Sequence, residues 1–590
     1  MAYPRLRIPS ASRQMIDTFR GYNHNLRIGD GEFYDMKNLT SDDYPVLSTR
    51  GQRGLYTVGQ PGAPVGLIAK DNLCYVDDGE FVINGNRINM DLNNEPKQLI
   101  SMGVYVIILP DKKYINTADT TDFGSIEAEF TTQEPVTFSL TRENGSAYTA
   151  EYIQGSAPEK PADGAVWIDT STVPNALKQW SASSGMWVQI ASTYVKISST
   201  GIGNAFEQYD GITISGLTGE LETDTGDTYE IPELAALEGS AVVWEKSDDY
   251  IVIVGMLSAT RTIQSSITVS RTMPEMDHVI ECGNRLWGCR YGIAANGEVV
   301  NEIYSSKLGD FRNWNCKLGI STDSWVGAVG TDGPFTGAIS HLGHPLFFKE
   351  NHLHKVYISS TAAHQLTDTP CRGVQRSCSR SLAIVENVLY YKSQSGICAY
   401  DGSLPIEIAQ AFGTQQYENA VGGGIGNKYY VSVDDMGGGS HLFVYDTAKG
   451  MWHKEDEMRV DAFCPSRGEL YAICDGKIVT MLGSGKPETK PVEWLAETGM
   501  IGLTTPDMKY VSRLILRLTL PVGSFLRVSA EYDSSGKFVQ LFAINGSGTQ
   551  AFTLPVRPVR CDHMRLRLEG DGPMKLFSIT KTIEHGSDVR

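Results

Sequence analysis

The side chains best suited to chemistry in this 590-residue sequence are five histidines, His341, His344, His352, His354 and His364, which fall within 24 residues. Imidazoles spaced as His341-x-x-His344 and His352-x-His354 can serve as metal ligands or proton carriers, and on a strand His352 and His354 would share one face. No carboxylate stands at a familiar third-ligand spacing, and Asn351-His-Leu-His354 reads equally well as a turn leading into a strand. A second group is Trp167, Trp180 and Trp187, three tryptophans within 21 residues. They can line a sugar-stacking surface, or simply pack a small sheet. Acidic doublets such as Asp77-Asp78, Asp248-Asp249 and Asp434-Asp435 lie in turn-like contexts. Neighbouring strand residues point to opposite faces, so a doublet is not in itself a catalytic pair. The glycine runs Gly422–Gly426 and Gly437–Gly439 are read as turns, because a phosphate loop should open a helix and the first run leads into a strand. Ser306 to Trp314 approaches a sialidase Asp-box, but with the Asp and Gly displaced. No G-x-S-x-G, HExxH or P-loop occurs, so no catalytic site, metal or cofactor is expected.

The elements that must position these residues are short strands. Leu389, Tyr429 and Leu470 each begin the core of a hairpin, at steps of 40 and 41 residues. The copies run from Val388 to Asp401, Lys428 to Asp446, and Glu469 to Val479. Such a period with short strands marks β-propeller blades, and a lone hairpin cannot bury its apolar face without stacking on its neighbours. Four further hairpins fit: Asn72–Val76 with Phe81–Ile83, Val104–Leu109 with Lys113–Ile115, Arg285–Gly288 with Glu302–Tyr304, and Pro345–Phe348 with Lys355–Ile358. The expected fold is therefore all-β, a propeller of six to eight blades with seven preferred. The gap between the second and third of these hairpins implies an inserted β-rich domain at 125–273. Within it, Glu233 to Leu237 is the best helical stretch. From 496 to 590 the pattern becomes strict alternation, as in Leu514–Leu520 and Met564–Leu568, which predicts a β-sandwich. The expected order is an extended N-terminal arm (1–54), propeller (55–124), inserted domain (125–273), propeller (274–495) and sandwich (496–590).

Composition narrows the function. Sixty glycines and 20% charged residues fit many tight turns, and the net charge of −18 disfavours tight binding to DNA or anionic membrane. The ten cysteines include no CxxC, and several sit in apolar strands, so reduced buried thiols are expected, although Cys282 with Cys289 and Cys371 with Cys378 have spacings that allow bridges. The N-terminus has no apolar run of the signal-peptide kind, and Tyr250–Leu257 is too short to cross a bilayer. Arginines are locally concentrated: Arg5, Arg7 and Arg13 in the arm, and Arg513, Arg517, Arg527, Arg565 and Arg567 in the sandwich. These are candidate partner contacts.

The stretch Gly31-Glu-Phe33-x-Asp35-x-x-Asn38-Leu39, followed by Pro45-x-Leu47-x-x-Arg50-x-x-Arg53-Gly54, resembles the β-propeller tail proteins of tailed bacteriophages, the nozzle or packaged-DNA-stabilisation proteins of short-tailed phages. The segment Leu389 to Pro405, with Gly396-Ile and Tyr400-Asp-Gly-Ser-x-Pro405, is similar to a form recurring in the same proteins. Ser306 to Trp314 fits their blade ending better than an Asp-box, and Pro158 to Tyr194 resembles small modules of phage structural proteins. The resemblance implies a structural, non-enzymatic virion protein of the tail, made in the host cytoplasm. It would form a homo-oligomeric ring, hexameric by resemblance, that continues the DNA channel below portal and adaptor. DNA would pass during ejection without sequence-specific binding, and no membrane insertion is implied. The rival readings are a receptor- or glycan-binding tail protein using Trp167, Trp180 and Trp187, and a glycan depolymerase.

Overall fold

A computed structural model of the chain describes residues 11–585, apart from 134, 218–219, 223–227, 295–296, 362, 504–507, 555 and 557–558. Arg5 and Arg7 lie outside the described residues.

Seven antiparallel sheets of at least four strands follow one another among the described residues and form the propeller. Blades 1 and 2 span 64–89 and 98–125, blades 3 to 6 span 278–328, 337–370, 383–407 and 417–454, and blade 7 spans 462–480 with partners from elsewhere. The first strands of successive blades meet around one axis, and the ring closes where Ala462–Ser466 of blade 7 touches Pro64–Ala69 of blade 1. At the fourth blade the contact is made by the short 3-10 turn Ser379–Ser381 that precedes blade 5.

Every hairpin expected from the sequence is the second and third strand of a blade. These middle strands are covered on both faces by adjacent blades, so they read as nearly continuous apolar runs. Leu73–Asp77 is buried at every position, and Val388–Lys392 and Lys428–Val433 are almost so. The first and fourth strands are shorter on apolar residues and were not legible in the same way.

Blade 7 is completed from the other end of the chain. Gly54–Leu55 pairs with Val479–Thr480 on one side and Lys486–Pro487 on the other. Two closing residues make few ladder bonds, so side chains reinforce them. Arg53, 3% exposed, donates to Glu455 at 2.6 Å and to Asp456 at 2.7 Å. Arg50 lies 3.5 Å from Asp456 and donates to the Asn38 side chain at 2.8 Å.

The described part of the expected arm, residues 11–54, is extended and engaged with the rest of the fold. Ala11–Ile16 and Leu47–Thr49 pair with Lys575–His585, and Glu32–Lys37 pairs with Glu493–Thr498. Both sheets of the C-terminal sandwich thus take strands from residues 11–49. The physical reason is edge satisfaction: the sandwich strands left alone would present unpaired backbone groups. Ion pairs add to the seam, joining Asp30 to Lys581, Asp35 to Lys454, Asp42 to Lys428 and Asp43 to Lys575 at 2.6–3.1 Å. The sandwich core merges with blades 4 to 6 through residues such as Tyr22, Phe33, Phe412 and Phe443. Gly21, at φ +79°, admits this approach, because a Cβ there would stand 2.2 Å from the Trp452 carbonyl.

The insertion between blades 2 and 3 carries two facing sheets packed through Val136, Phe138, Ile197, Ile212, Ile214 and Ile253. A buried ion pair of Arg271 with Asp210 ties its exit strand to its interior. Its α-helical turn, Pro232–Ala235, overlaps the stretch expected at Glu233 to Leu237. A third, smaller sheet of four strands spans Tyr152–Gln189. The insertion meets blade 3 at Asn313, whose side chain donates to the Tyr209 carbonyl (2.7 Å) and accepts from the Gly211 amide (3.0 Å).

The first glycine run departs from the expectation of a turn. Gly422, Gly423 and Gly424 lie inside the innermost strand of blade 6, and only Gly426 turns. Crowding at the axis requires them. Added Cβ atoms would sit 2.3 Å from the Ser381 carbonyl, 2.5 Å from Phe463 and 2.7 Å from Val385, all on neighbouring blades.

Candidate functional site

All five histidines fall within blade 4, where His344 packs against Tyr357 at 4.8 Å. His341 is buried with Nε2 2.8 Å from the Asn387 carbonyl. His352 and His354 share a strand face, as expected, and stack at 6.2 Å. Their Nδ1 atoms lie 2.9 and 3.6 Å from Asp368 on the next strand. His354 also meets the Thr331 hydroxyl at 2.8 Å, and burial pushes its pKa down to about 4. His364 packs against Trp287 and Trp325. No group of three or more His, Cys, Asp or Glu among the described residues is arranged to hold a metal ion. A neutral, buried imidazole bonded to a hydroxyl is doing the work of a core residue.

The three tryptophans do come together, with Tyr152, on one face of the small sheet. Strand alternation sends Val166, Ile168 and Leu177 to the opposite face, where they pack on Leu140. Trp180 and Trp187 are a directly opposed cross-strand pair, 5.5 Å apart at 65°. Trp187 also meets Trp167 at 5.3 Å and 64°, and Tyr152 at 6.2 Å. These are edge-to-face contacts, the geometry aromatic rings adopt when they pack on one another. Trp167 is only 4% exposed and donates to the Gln154 carbonyl at 2.9 Å, so it cannot present a flat ring to a ligand. Lys178 covers its ring and pairs with Asp169 at 2.7 Å, which holds that carboxyl down at about 2. Trp180 and Trp187 remain half-exposed.

The arginines divide between the two sheets of the sandwich. Arg565 and Arg567 both reach Glu497, at 2.8 and 2.7 Å, and Arg527 reaches Glu569 at 2.6 Å. Arg13, Arg513 and Arg517 lie together on the outer face of the other sheet. Arg13 and Arg513 flank Thr582 from its two sides, in register. All three are exposed, and none has a carboxylate within 4 Å among the described residues. Sequence reasoning named these residues but not the division, because only strand pairing tells which arginines share a face.

The propeller's axial opening holds a cavity of about 1050 Å³, lined by the inner strands of blades 1 to 4, 6 and 7 and by the turn that precedes blade 5. Lys97 there pairs with Asp111 at 2.6 Å, Lys112 with Glu127 at 2.7 Å and Arg290 with Asp277 at 3.0 Å, while Arg380 donates to the Asp461 carbonyl. Its volume is that of a small-molecule cleft, about 300–1,000 Å³. All ten cysteines are free thiols, eight of them buried, and burial raises Cys316 and Cys371 to about 11, which makes them unreactive at neutral pH.

Ser306 to Trp314 forms a structural corner. Arg285, fully buried, donates to the carbonyls of Ser306, Ser321 and Asp323 at 2.6–2.7 Å, and the Trp314 indole donates to the Phe311 carbonyl. Nothing in this corner is a solvent-facing acid pair.

No family model matches the chain, and no curated protein matches it. Among solved structures it is similar to an acylaminoacyl peptidase of Pyrococcus horikoshii, at 10% identity and a TM-score of 0.23, over 52% of this chain and 50% of that one. The chain thus spans half the length of the peptidase. A GH43 glycoside hydrolase engineered for endo-xylanase and exo-arabinofuranosidase activity matches at 10% identity and a TM-score of 0.20, over 52% of this chain and 96% of that one. An extracellular domain assigned to a hybrid two-component system of B. thetaiotaomicron matches at 10% identity and 0.21, over 92% and 98%. At these scores none of the three carries an activity to this chain.

Proposed function

We propose that the chain is a structural subunit of a bacteriophage tail, non-enzymatic, assembling as a homo-oligomeric ring that continues the DNA channel below portal and adaptor. The observation that carries this reading is where the phage-like motif residues lie. Phe33 is in the core, Asn38 donates to the Glu493 carbonyl at 2.8 Å, Arg50 and Arg53 hold the buried carboxylates of Glu455 and Asp456, and Gly54 begins the closing strand. The residues that carry the resemblance are therefore those that weld propeller, closing strand and sandwich into one body. A resemblance carried by residues with that role speaks for shared architecture. The second motif, Leu389 to Pro405, builds the middle of blade 5.

In this proposal the conduit lies between copies, and the propellers form its wall. An excess of 69 acidic over 51 basic residues favours passage of DNA without adhesion. Electron microscopy of the purified chain, and of virions carrying it, tests the proposal. Rings with a central channel wide enough for a duplex are expected, and a chain that stays monomeric at all concentrations with no ring in particles would end it.

A second reading, a glycan-binding tail protein, is favoured by the half-exposed Trp180–Trp187 pair on the outward face of the small sheet. A glycan array with wild-type protein and the Trp180→Ala variant decides it.

A further inference from the structure

We infer that the outer face of the sandwich sheet bearing Arg13, Arg513 and Arg517 is a docking surface for a carboxylate-rich face of a second copy of this chain. The inference rests on the ring reading and names the surface through which a copy meets its neighbour.

Three observations lead there. First, the face is set by register. Arg13 and Arg513 lie on either side of Thr582, and Arg517 follows four residues along the same strand. Met15, 62% exposed, and Ile515 sit beside Thr580 between them, so the guanidinium groups surround a small apolar centre. Arginine and methionine with an apolar middle are the residues enriched in protein interfaces. Second, these arginines lack what their counterparts have. Arg527, Arg565 and Arg567 on the other sheet each meet a carboxylate within 2.8 Å. Three guanidinium groups together with no acid paired to them among the described residues are out of pattern in a chain with 18 more acids than bases. Glu584, at the end of this face, accepts the Tyr510 hydroxyl at 2.7 Å. Third, two copies of so acidic a chain repel unless an acidic surface of one meets a basic surface of the other. An interface that joins unlike patches is the heterologous kind that closes into rings. Charge complementarity of this sort fixes register and speeds encounter, and Arg–carboxylate forks make it directional.

The test uses the full chain with Arg13→Glu, Arg513→Glu and Arg517→Glu combined. Assembly is followed by mass photometry and analytical ultracentrifugation at about 0.15 M and about 1 M salt, where the Debye length falls from about 8 to about 3 Å. Circular dichroism and melting check the fold, and the triple Gln variant repeats the test if the Glu variant does not fold. Wild-type assembly that weakens in high salt, with at least about a hundredfold more protein needed by the folded variant, is the expected result. A variant that assembles as wild type does overturns this surface and leaves the ring reading standing. Wild-type protein that never assembles removes both. A variant that assembles normally but loses binding of a duplex DNA oligonucleotide seen with wild type would assign the face to phosphate instead, and also overturns the inference.

Discussion

Replacing Arg53 by Met should open the propeller at one place. Arg53 is buried and bonded to two carboxylates, Glu455 (2.6 Å) and Asp456 (2.7 Å), and it is adjacent to the two-residue strand that closes blade 7. Removing one partner of a buried ion pair costs about 3–5 kcal/mol, because the charge left behind stays desolvated. Burial acts to raise the Asp456 pKa, but the charges and hydrogen bonds of Arg53, with Arg50, outweigh it and hold the group below its usual value. Without Arg53 only Arg50, at 3.5 Å from Asp456, remains. The backbone bonds of Gly54–Leu55 are too few to offset such a loss, since a net hydrogen bond contributes about 1 kcal/mol. Hydrogen exchange read by mass spectrometry reports this locally, which matters in a chain of several modules where a single unfolding midpoint is ill-defined. Peptides covering 54–57 and 469–480 should exchange on the order of a hundredfold faster, at about 1.4 kcal/mol per tenfold, while blade 2 at 98–116 changes little. Adding Glu455→Gln and Asp456→Asn should restore more than half of the protection, because no uncompensated carboxylate is then buried. Unchanged exchange in the single variant, or no recovery in the triple one, would refute the account of how the ring is closed.

The remaining predictions concern buried imidazoles and the aromatic face. His453 is fully enclosed and pushed down to about 4 by burial, as is His354. Such groups are neutral in the fold and titrate near 6.5 when unfolded, so their contribution is complete above pH 6.5 and is lost as pH falls toward 4, by up to about 1.4 kcal/mol per pH unit each. Thermal melts between pH 7 and 4.5 should therefore show falling stability, and His453→Gln should flatten the curve. In the small sheet, Trp167→Ala should destabilise by about 3–5 kcal/mol, whereas Trp180→Ala, half-exposed, should cost roughly 1 kcal/mol or less. Exchange of peptides from 152 to 189 measures both, and equal effects would mean that the two rings are not divided between core and surface.

The legible part of this protein was whatever is buried on both faces. Middle blade strands such as Leu73–Asp77 and Lys428–Val433 are apolar at nearly every position because neighbouring blades enclose them, so their spacing alone marked the repeat. The alternation of Leu514–Leu520 marked the sandwich for the complementary reason, one face inside and one out. Gly422–Gly424 misled, since glycines that serve a close approach look in sequence like glycines that turn.

What no local pattern contains is the pairing of segments far apart along the chain. That Gly54–Leu55 closes a blade built from residues 462–480, and that Ala11–Ile16 lies beside Lys575–His585, follows from sheet edges seeking partners wherever the fold brings them. The same holds for the arginines: their presence is written in the sequence, but strand register alone separates Arg565 and Arg567, neutralised by Glu497, from Arg13, Arg513 and Arg517, which face outward together. Charge content is a property of the chain, whereas the side on which a charge emerges is a property of which strands bond to which.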